Sequence, residues 1–565
     1  MTSLVMSETD VVLGTDVVLG AGKFILDDLS RLRRFLVLGA ETAIYRPRNE
    51  PAGLGNALAL QRLLSAGRGI ECVSLITEYS SEGRCAKVDQ LLFALAMCAR
   101  FGDAAVRAKV YEALPKICGT PTMLFSFLEF SKALHTEPGS GKGWGRMQRR
   151  GVALWYNGQD PLRLAQGITK YRNRKGWTHK DVLRLCHVSP KSAAHNACYH
   201  HVAGGLAKAA GSVAVDVPAR KVKGARKVVL AAAASAASAE AAPVAADEKL
   251  AAVKAYLAAT DAALACRDEA ALVSLIQAHR LVREHCPTEL LGSVLVWKAL
   301  LQDMPMMAML RNLNKMTSVG LFADEAMVQL VVGRLGDEAA LQRARIHPFN
   351  VLLALRTYAM GHGDKGSLQW TPVPALTAAL DSAFYLSFKF VVPTGKRLLL
   401  CLDVSGSMDS KSMGSVLSSR EACSALVMAS MRTEPQCQVM AFHQELVPLA
   451  LTKDMSLDAV LEYTRGMPFG ATDCSLPMEW AYERGLLIDA FVVFTDCETN
   501  CNRLPPAMAL QKYRTGSGVD ARLVVVATSA TEFTLADPAD GGMLDVAGMD
   551  SSMPQIISEF IRGDL

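Results

Sequence analysis

No stretch of this chain is apolar enough for long enough to span a bilayer. The nearest approach, Val228–Ala246, is mostly alanine and is broken by Ser235, Ser238, Glu240 and Pro243. The first residues include Glu8 and Asp10 and lack the basic head and apolar core of a secretion signal. The 14 cysteines lack regular spacing, and several sit inside apolar runs. That pattern argues against a disulfide framework and for free, buried thiols in a reducing compartment, the cytoplasm (and the nucleus as well in a eukaryote). Net charge is scarce too: 60 Lys and Arg against 55 Asp and Glu leave only +5 over 565 residues. The whole-chain balance therefore does not announce a nucleic-acid binder, and only local clustering of cations could do so.

What is present describes a folded protein. Half the residues are hydrophobic and 20% are charged, and the length predicts two to four domains. Residues 1–22 read as an N-terminal arm, in which Thr9–Gly14 and Thr15–Gly20 repeat TDVVLG. Residues 23–393 are dominated by helical periodicity. In Val88–Cys98, Leu91, Leu92, Leu95 and Cys98 fall at the spacing of one buried helix face, and Pro121–Leu134 repeats the pattern with Met123, Phe127 and Phe130. Helical patterning continues over Glu248–His285 and Thr288–Met316. Successive helices without a fixed period predict an irregular α-solenoid stack. Within it, 204–246 is a basic, then alanine-rich, insertion with too little apolar variety to build a core.

The period changes at 394. Strand-like runs appear at Leu398–Asp403, Gln438–Phe442, Phe491–Thr495 and Leu523–Thr528, alternating with helical stretches such as Ser418–Met431 and Ser475–Leu487. Ile556–Ile561 reads as a closing helix. This alternation predicts an α/β doubly wound parallel sheet over 394–565.

Two groups of residues carry chemistry. The first is basic. Lys142, Arg146, Arg149 and Arg150 surround Trp144, although a solvated helix face fits that segment equally well. GSGKG at Gly139–Gly143 is not a phosphate loop, since Thr136 stands where the first glycine belongs and Gly143 replaces the Ser or Thr. Lys170–His187, KYRNRKGWTHKDVLRLCH, is richer: Lys170, Arg172, Arg174, Lys175, His179, Lys180 and Arg184 stand with Tyr171, Trp177 and a single acid, Asp181. Thr178 is placed to cap a following helix, so Lys180, Arg184 and His187 would project from about one face. Cations interleaved with aromatics suit an RNA backbone and its unstacked bases. Cys186, His187, His195, Cys198, His200 and His201 match no familiar zinc spacing.

The second group is acidic and hydroxylic. Asp403, Ser405 and Ser407 follow a buried-type strand in RLLLCLDVSGSM, Thr472 opens a helix in FGATDCS, and Asp496 ends a strand in FVVFTDCET. Two carboxylates and three hydroxyls at the carboxyl ends of parallel strands suit a hard divalent cation, Mg2+ above all. An aspartyl phosphatase would need a carboxylate where Ser405 stands, and a serine hydrolase would need glycines that VSGSM lacks, so no catalytic residue is assigned. The order of these elements resembles the metal-ion-dependent adhesion site of von Willebrand factor A domains.

Together with MLRNLNKMT (Met309–Thr317), RIHPFN (Arg345–Asn350), GATDCSLPM and FTLADPADGGMLD (Phe533–Asp545), these segments closely resemble the 60 kDa SS-A/Ro ribonucleoprotein family. The resemblance runs from FLVLGAET (Phe35–Thr42) to the C-terminus and weakens only in the alanine-rich insertion. It implies a ring of HEAT-like helical repeats, the TROVE module, joined to a von Willebrand A domain. It further implies a noncatalytic protein of RNA quality control. Such a protein binds Y RNA on the ring's outer basic surface and captures 3′ ends of misfolded noncoding RNAs, such as 5S rRNA precursors, through the central hole. Carried over by position, Lys170, Arg174 and His187 fall where the family contacts Y RNA. A partner's carboxylate would complete the metal's coordination, an exoribonuclease being one candidate, and the chain is expected to be a monomer off the membrane. The competing reading is a metal-dependent protein-interaction adaptor in which RNA is incidental.

Overall fold

The computed structural model describes residues 24, 26–41, 44–45, 54–85, 87–134, 143–204, 241–363, 366–412, 415–443, 445–468, 472–496, 504–528, 535–537 and 539–565, without the side chains of 241–246. The TDVVLG repeat, Lys142, most of GSGKG and nearly all of 204–246 lie outside the described residues.

The helical part begins with α1 (Asp28–Leu38), α2 (Leu58–Ser65), α3 (Gly69–Glu82), α4 (Val88–Phe101), α5 (Ala104–Ile117) and α6 (Pro121–Ala133). It continues through α7 (Arg146–Gly158), α8 (Pro161–Lys170), α9 (His179–Cys186) and α10 (Ala193–Gly204). After the insertion come α11 (Ala241–Ala265), α12 (Glu269–His279), α13 (Val294–Gln302), α14 (Met306–Ser318), α15 (Glu325–Gly336), α16 (Glu338–Arg343), α17 (Pro348–Ala359) and α18 (Pro374–Ser387). Short polar residues start many of them. Asp103, Thr120 and Asp160 accept from backbone N–H groups of the first turn, and Pro121 and Pro161 follow where a missing N–H costs nothing. Glu248–His285 is two helices rather than one, because Asp268 caps a new start, and Ser293 and Pro305 divide the next stretch in the same way. Helices pack chiefly on neighbours one or two places along (α3 on α5, α4 on α6, α5 on α7, α7 on α9), the contact pattern of a solenoid.

The second part is a sheet with strand order β1-β9-β8-β7-β4-β5-β6, where β1 is Ile44–Tyr45, β4 Arg397–Asp403, β5 Gln436–Phe442, β6 Leu446–Pro448, β7 Ala490–Thr495, β8 Arg522–Ala527 and β9 Met543–Ala547. Its pairs are parallel except β5 with β6. The four predicted strand runs are borne out with ends moved by one or two residues. β1, β6 and β9 were not predicted. Along β4, Leu398, Leu400 and Leu402 face one apolar cluster while Leu399 and Cys401 face another, so the strand is buried on both sides. The helices around this sheet are α19 (Ser419–Thr433), α20 (Leu457–Arg465), α21 (Leu476–Glu483), α22 (Pro506–Ser517) and α23 (Met553–Arg562).

Both ends of the helical array seat on this sheet domain. At the N-terminal end β1 adds a parallel strand to β9, Arg34 of α1 donates to the Gly541 carbonyl at 2.7 Å, and Tyr45 donates to Asp550 at 2.7 Å. Tyr79 and Arg84 donate to the Asp564 carbonyl at 3.0 and 2.9 Å. At the other end Arg356 of α17 pairs with Glu421 and with Asp458. The array is thereby closed through the sheet domain, and strand β1, from the predicted helical region, completes the edge of the predicted sheet. A cavity of about 690 Å³ lies at this seam, lined by acids (Glu78, Glu82) as well as Arg84 and Arg345.

Candidate nucleic-acid face and candidate cation edge

The Lys170–His187 segment folds as a hairpin feeding a helix. β2 (Asn173–Arg174) and β3 (Trp177–Thr178) pair antiparallel, joined by Lys175 and Gly176 at φ +48° and +77°, the left-handed pair that a two-residue turn requires. Thr178 then caps α9 as predicted: it accepts from the Asp181 N–H at 3.2 Å and donates its hydroxyl to the Asp181 carboxylate at 2.5 Å. Its hydroxyl thus serves the capping box, and that is a correction to its reading as an RNA contact. Lys180, Arg184 and His187 are exposed along and at the end of α9. His187 is the C-cap, left-handed at φ +51°, with its N–H on the Leu183 carbonyl.

Three members of the cluster are withdrawn from the surface chemistry. Lys175 pairs with Asp89 at 2.9 Å and lies 4.6 Å from the centre of the Phe130 ring. His179 is buried, between the Tyr156 hydroxyl at 2.8 Å and the Tyr171 carbonyl at 3.0 Å, and burial holds its imidazole down to about 4. Trp177 is 9% exposed, donates to Glu129 at 3.0 Å and packs 5.9 Å from Trp144, so neither tryptophan offers an open platform for a base.

The remaining cations behave differently. Arg146 and Arg149 on α7, Arg174 on the hairpin, and Lys180 and Arg184 on α9 are exposed, and none makes an ion pair with a described residue. Arg172 donates only to the Thr169 carbonyl at 3.1 Å, and Lys170 sits 5.2 Å from the centre of the Tyr171 ring. α7 contacts α9, and the hairpin contacts α6, so these groups share one continuous surface. Clustered positive charge without counter-charge is costly unless a polyanion is expected there.

The cysteine and histidine cluster does not converge. Cys186 donates to the Leu183 carbonyl, Cys198 to the Pro161 carbonyl, and His195 lies between Ser192 and the Gln159 carbonyl.

At the sheet's carboxyl edge, neighbouring strands β7, β4 and β5 end in Asp496, Asp403 and His443. The Asp473 N–H donates to the His443 carbonyl at 3.2 Å and thereby draws Thr472 to the end of β5. All five predicted residues therefore belong to loops at one edge. Asp403 is fully buried; its two oxygens accept from the Ser405 N–H at 2.8 Å and the Thr495 hydroxyl at 2.9 Å. The Ser405 and Ser407 hydroxyls are 3.0 Å apart. Arg420, 2% exposed, holds this loop through the Ser405 carbonyl and Asp409, both at 2.9 Å. Burial raises the Asp403 carboxyl, and the nearby Asp496 charge raises it further. A buried carboxylate beside a second one, with hydroxyls alongside, is a donor set that a hard dication would stabilise. Among the described residues no three His, Cys, Asp or Glu side chains group as a metal site, in keeping with a set made half of hydroxyls.

Comparison with known proteins gives consistent matches. The profile of the TROVE domain matches residues 19–357, and that of the Ro60 vWA domain matches residues 397–561. RNA-binding protein RO60 of Caenorhabditis elegans is 36% identical over 586 residues, covering 96% of this chain and 90% of that protein. RNA-binding protein RO60 of Deinococcus radiodurans is 35% identical over 552 residues, covering 96% and 95%. The crystal structure of the Deinococcus radiodurans RO (RSR) protein superposes with a TM-score of 0.81 at 34% identity, covering 95% of this chain and all of that one.

Proposed function

The chain belongs to the Ro60 family of RNA-binding proteins, and on that premise we propose that it is a noncatalytic ribonucleoprotein scaffold whose outer basic face holds Y RNA. The observation that carries this reading is the set of exposed cations without ion pairs on α7, α9 and the β2–β3 hairpin. Arg146, Arg149, Lys170, Arg172, Arg174, Lys180 and Arg184 neutralise phosphates, and release of the RNA's condensed counterions supplies most of the affinity. His187, at the end of α9, adds a hydrogen bond rather than a fixed charge. The closed helical array is suited to threading single-stranded 3′ ends of misfolded RNA, which extends the role to RNA quality control. Twelve described cysteines are free thiols, which supports a reducing compartment such as the cytoplasm.

Asp403, Ser405, Ser407, Thr472 and Asp496 would hold Mg2+ at the edge of the sheet domain. When bound, the ion would offset the buried charge and present an open position to a partner's carboxylate. The sheet domain thus closes the array and binds a partner, while the helices do the RNA chemistry.

The test is to purify the protein from its cells and sequence what comes with it. Small structured noncoding RNA is expected with the wild type and should be lost from Lys170→Ala/Arg174→Ala. An RNA-free protein complex would overturn the reading in favour of a protein adaptor.

A further inference from the structure

Beside the basic face lies a cavity of about 360 Å³ between the end of α5, the start of α6, and helices α7 and α8. This is within the range of about 300–1,000 Å³ typical of small-ligand sites. Trp155 backs it, fixed by a hydrogen bond from its indole N–H to the Cys118 carbonyl at 2.6 Å. Gln159, Arg163, Gln166, Lys170 and Tyr171 complete its polar lining, and no Asp or Glu contributes. None of those five side chains makes a hydrogen bond or ion pair with a described residue; Lys170 only overlies the Tyr171 ring. Five converging polar side chains left without partners, in a molecule whose other polar side chains are widely bonded, are an arrangement for a ligand.

We propose that this cavity takes one unpaired nucleotide of an RNA whose duplex lies on the adjacent basic face. Lys170 belongs to both, so a strand crossing that face passes the cavity mouth. Arg163 and Lys170, with no acid in the lining, suit the phosphates that flank a nucleotide turned out of a stem. Gln159 and Gln166 each carry a donor and an acceptor, the pairing that reads the edge of a base. Tyr171, its ring overlaid by Lys170, gives the base an aromatic neighbour. The site would let the protein distinguish a bulged stem from a regular one, which phosphate contacts alone cannot do.

The inference rests on the RNA-binding reading of the basic face, and the experiment separates the two. The full chain is titrated with a fully paired RNA stem and with four stems that differ from it by one unpaired A, C, G or U. Wild type is expected to bind at least one bulged stem about tenfold more tightly than the paired stem. Gln159→Ala/Gln166→Ala should abolish that preference while keeping wild-type affinity for the paired stem. Lys180→Ala/Arg184→Ala should weaken every stem alike and keep the preference. Equal binding of all five stems by wild type, or a preference that survives Gln159→Ala/Gln166→Ala, would overturn the pocket and leave the basic face standing. Failure of wild type to bind any stem would overturn both.

Discussion

The helical region and the sheet domain treat charge in opposite ways. In the sheet domain cations are spent on carboxylates: Arg397 on Asp489 at 2.6 Å, Arg420 and Arg465 on Asp409, Arg514 on Asp540. What is left over there is acid, namely Asp403 beside Asp496. On the helical face the surplus is cationic and lies in the open, at Arg146, Arg149, Arg174, Lys180 and Arg184. Exposed cations cost the fold little and await a polyanion. Buried acids cost it more and call for a small dication. Each region is thus incomplete in a way that names its ligand class.

The largest effect expected from breaking this contrast is in the sheet. Leu400→Ala should lower the stability of the whole chain by about 2–5 kcal/mol, because Leu400 is 1% exposed in the cluster shared with the helices. Denaturant unfolding measures it, and a loss below about 1 kcal/mol would mean that the sheet does not bear on the rest.

Acid should then separate the two regions. His179, His285 and His347, all in the helical part, are held by burial at about 4, below the ordinary 6.5. Between those values the unfolded chain binds the extra protons, so stability falls as pH drops from about 6.5 to 4, by on the order of 3 kcal/mol for His179 alone. Asp403 has the opposite sign. Its carboxyl is raised, so without metal the folded state binds the proton, and acid relieves it. Denaturation curves from pH 7 to 4 should show the helical losses prevailing; rising stability over that window would contradict the burial of these imidazoles.

Mg2+ should act on the sheet domain alone. At about a hundredfold excess over its dissociation constant it would stabilise the wild type by about 2.7 kcal/mol. Asp403→Asn should abolish that response and, in chelator, be at least as stable as wild type, since it removes a buried charge. A variant that still responds to Mg2+ like the wild type would rule out the cation edge. The smallest stability effect belongs to Lys180→Ala/Arg184→Ala, expected within about 0.5 kcal/mol because neither side chain has an ion pair to lose.

Much of this was legible in the sequence wherever a pattern is local. A buried parallel strand is a continuous apolar run, so β4 and the oxygens after Asp403 could be read together, and Thr178 could be read as a cap from its place before α9. What could not be read depends on distant partners. β1 is two residues long, carries no period, and pairs with a strand some 500 positions away. Lys175 looks like its cationic neighbours until Asp89, 86 positions earlier, takes it up. Trp177 looks like a stacking platform until Glu129 and Trp144 bury it. The lining of the cavity beside Lys170 was likewise invisible, because Gln159, Arg163 and Gln166 become neighbours of Thr120 only through packing of α6 against α8.

The most direct measurement is the salt dependence of Y RNA affinity for the wild type and for Lys170→Ala/Arg174→Ala. If the helical face neutralises phosphates, the variant should bind more weakly at every salt concentration, and the slope of log affinity against log salt should shrink by about 2, one for each cation removed. An unchanged affinity with an unchanged slope would contradict the account.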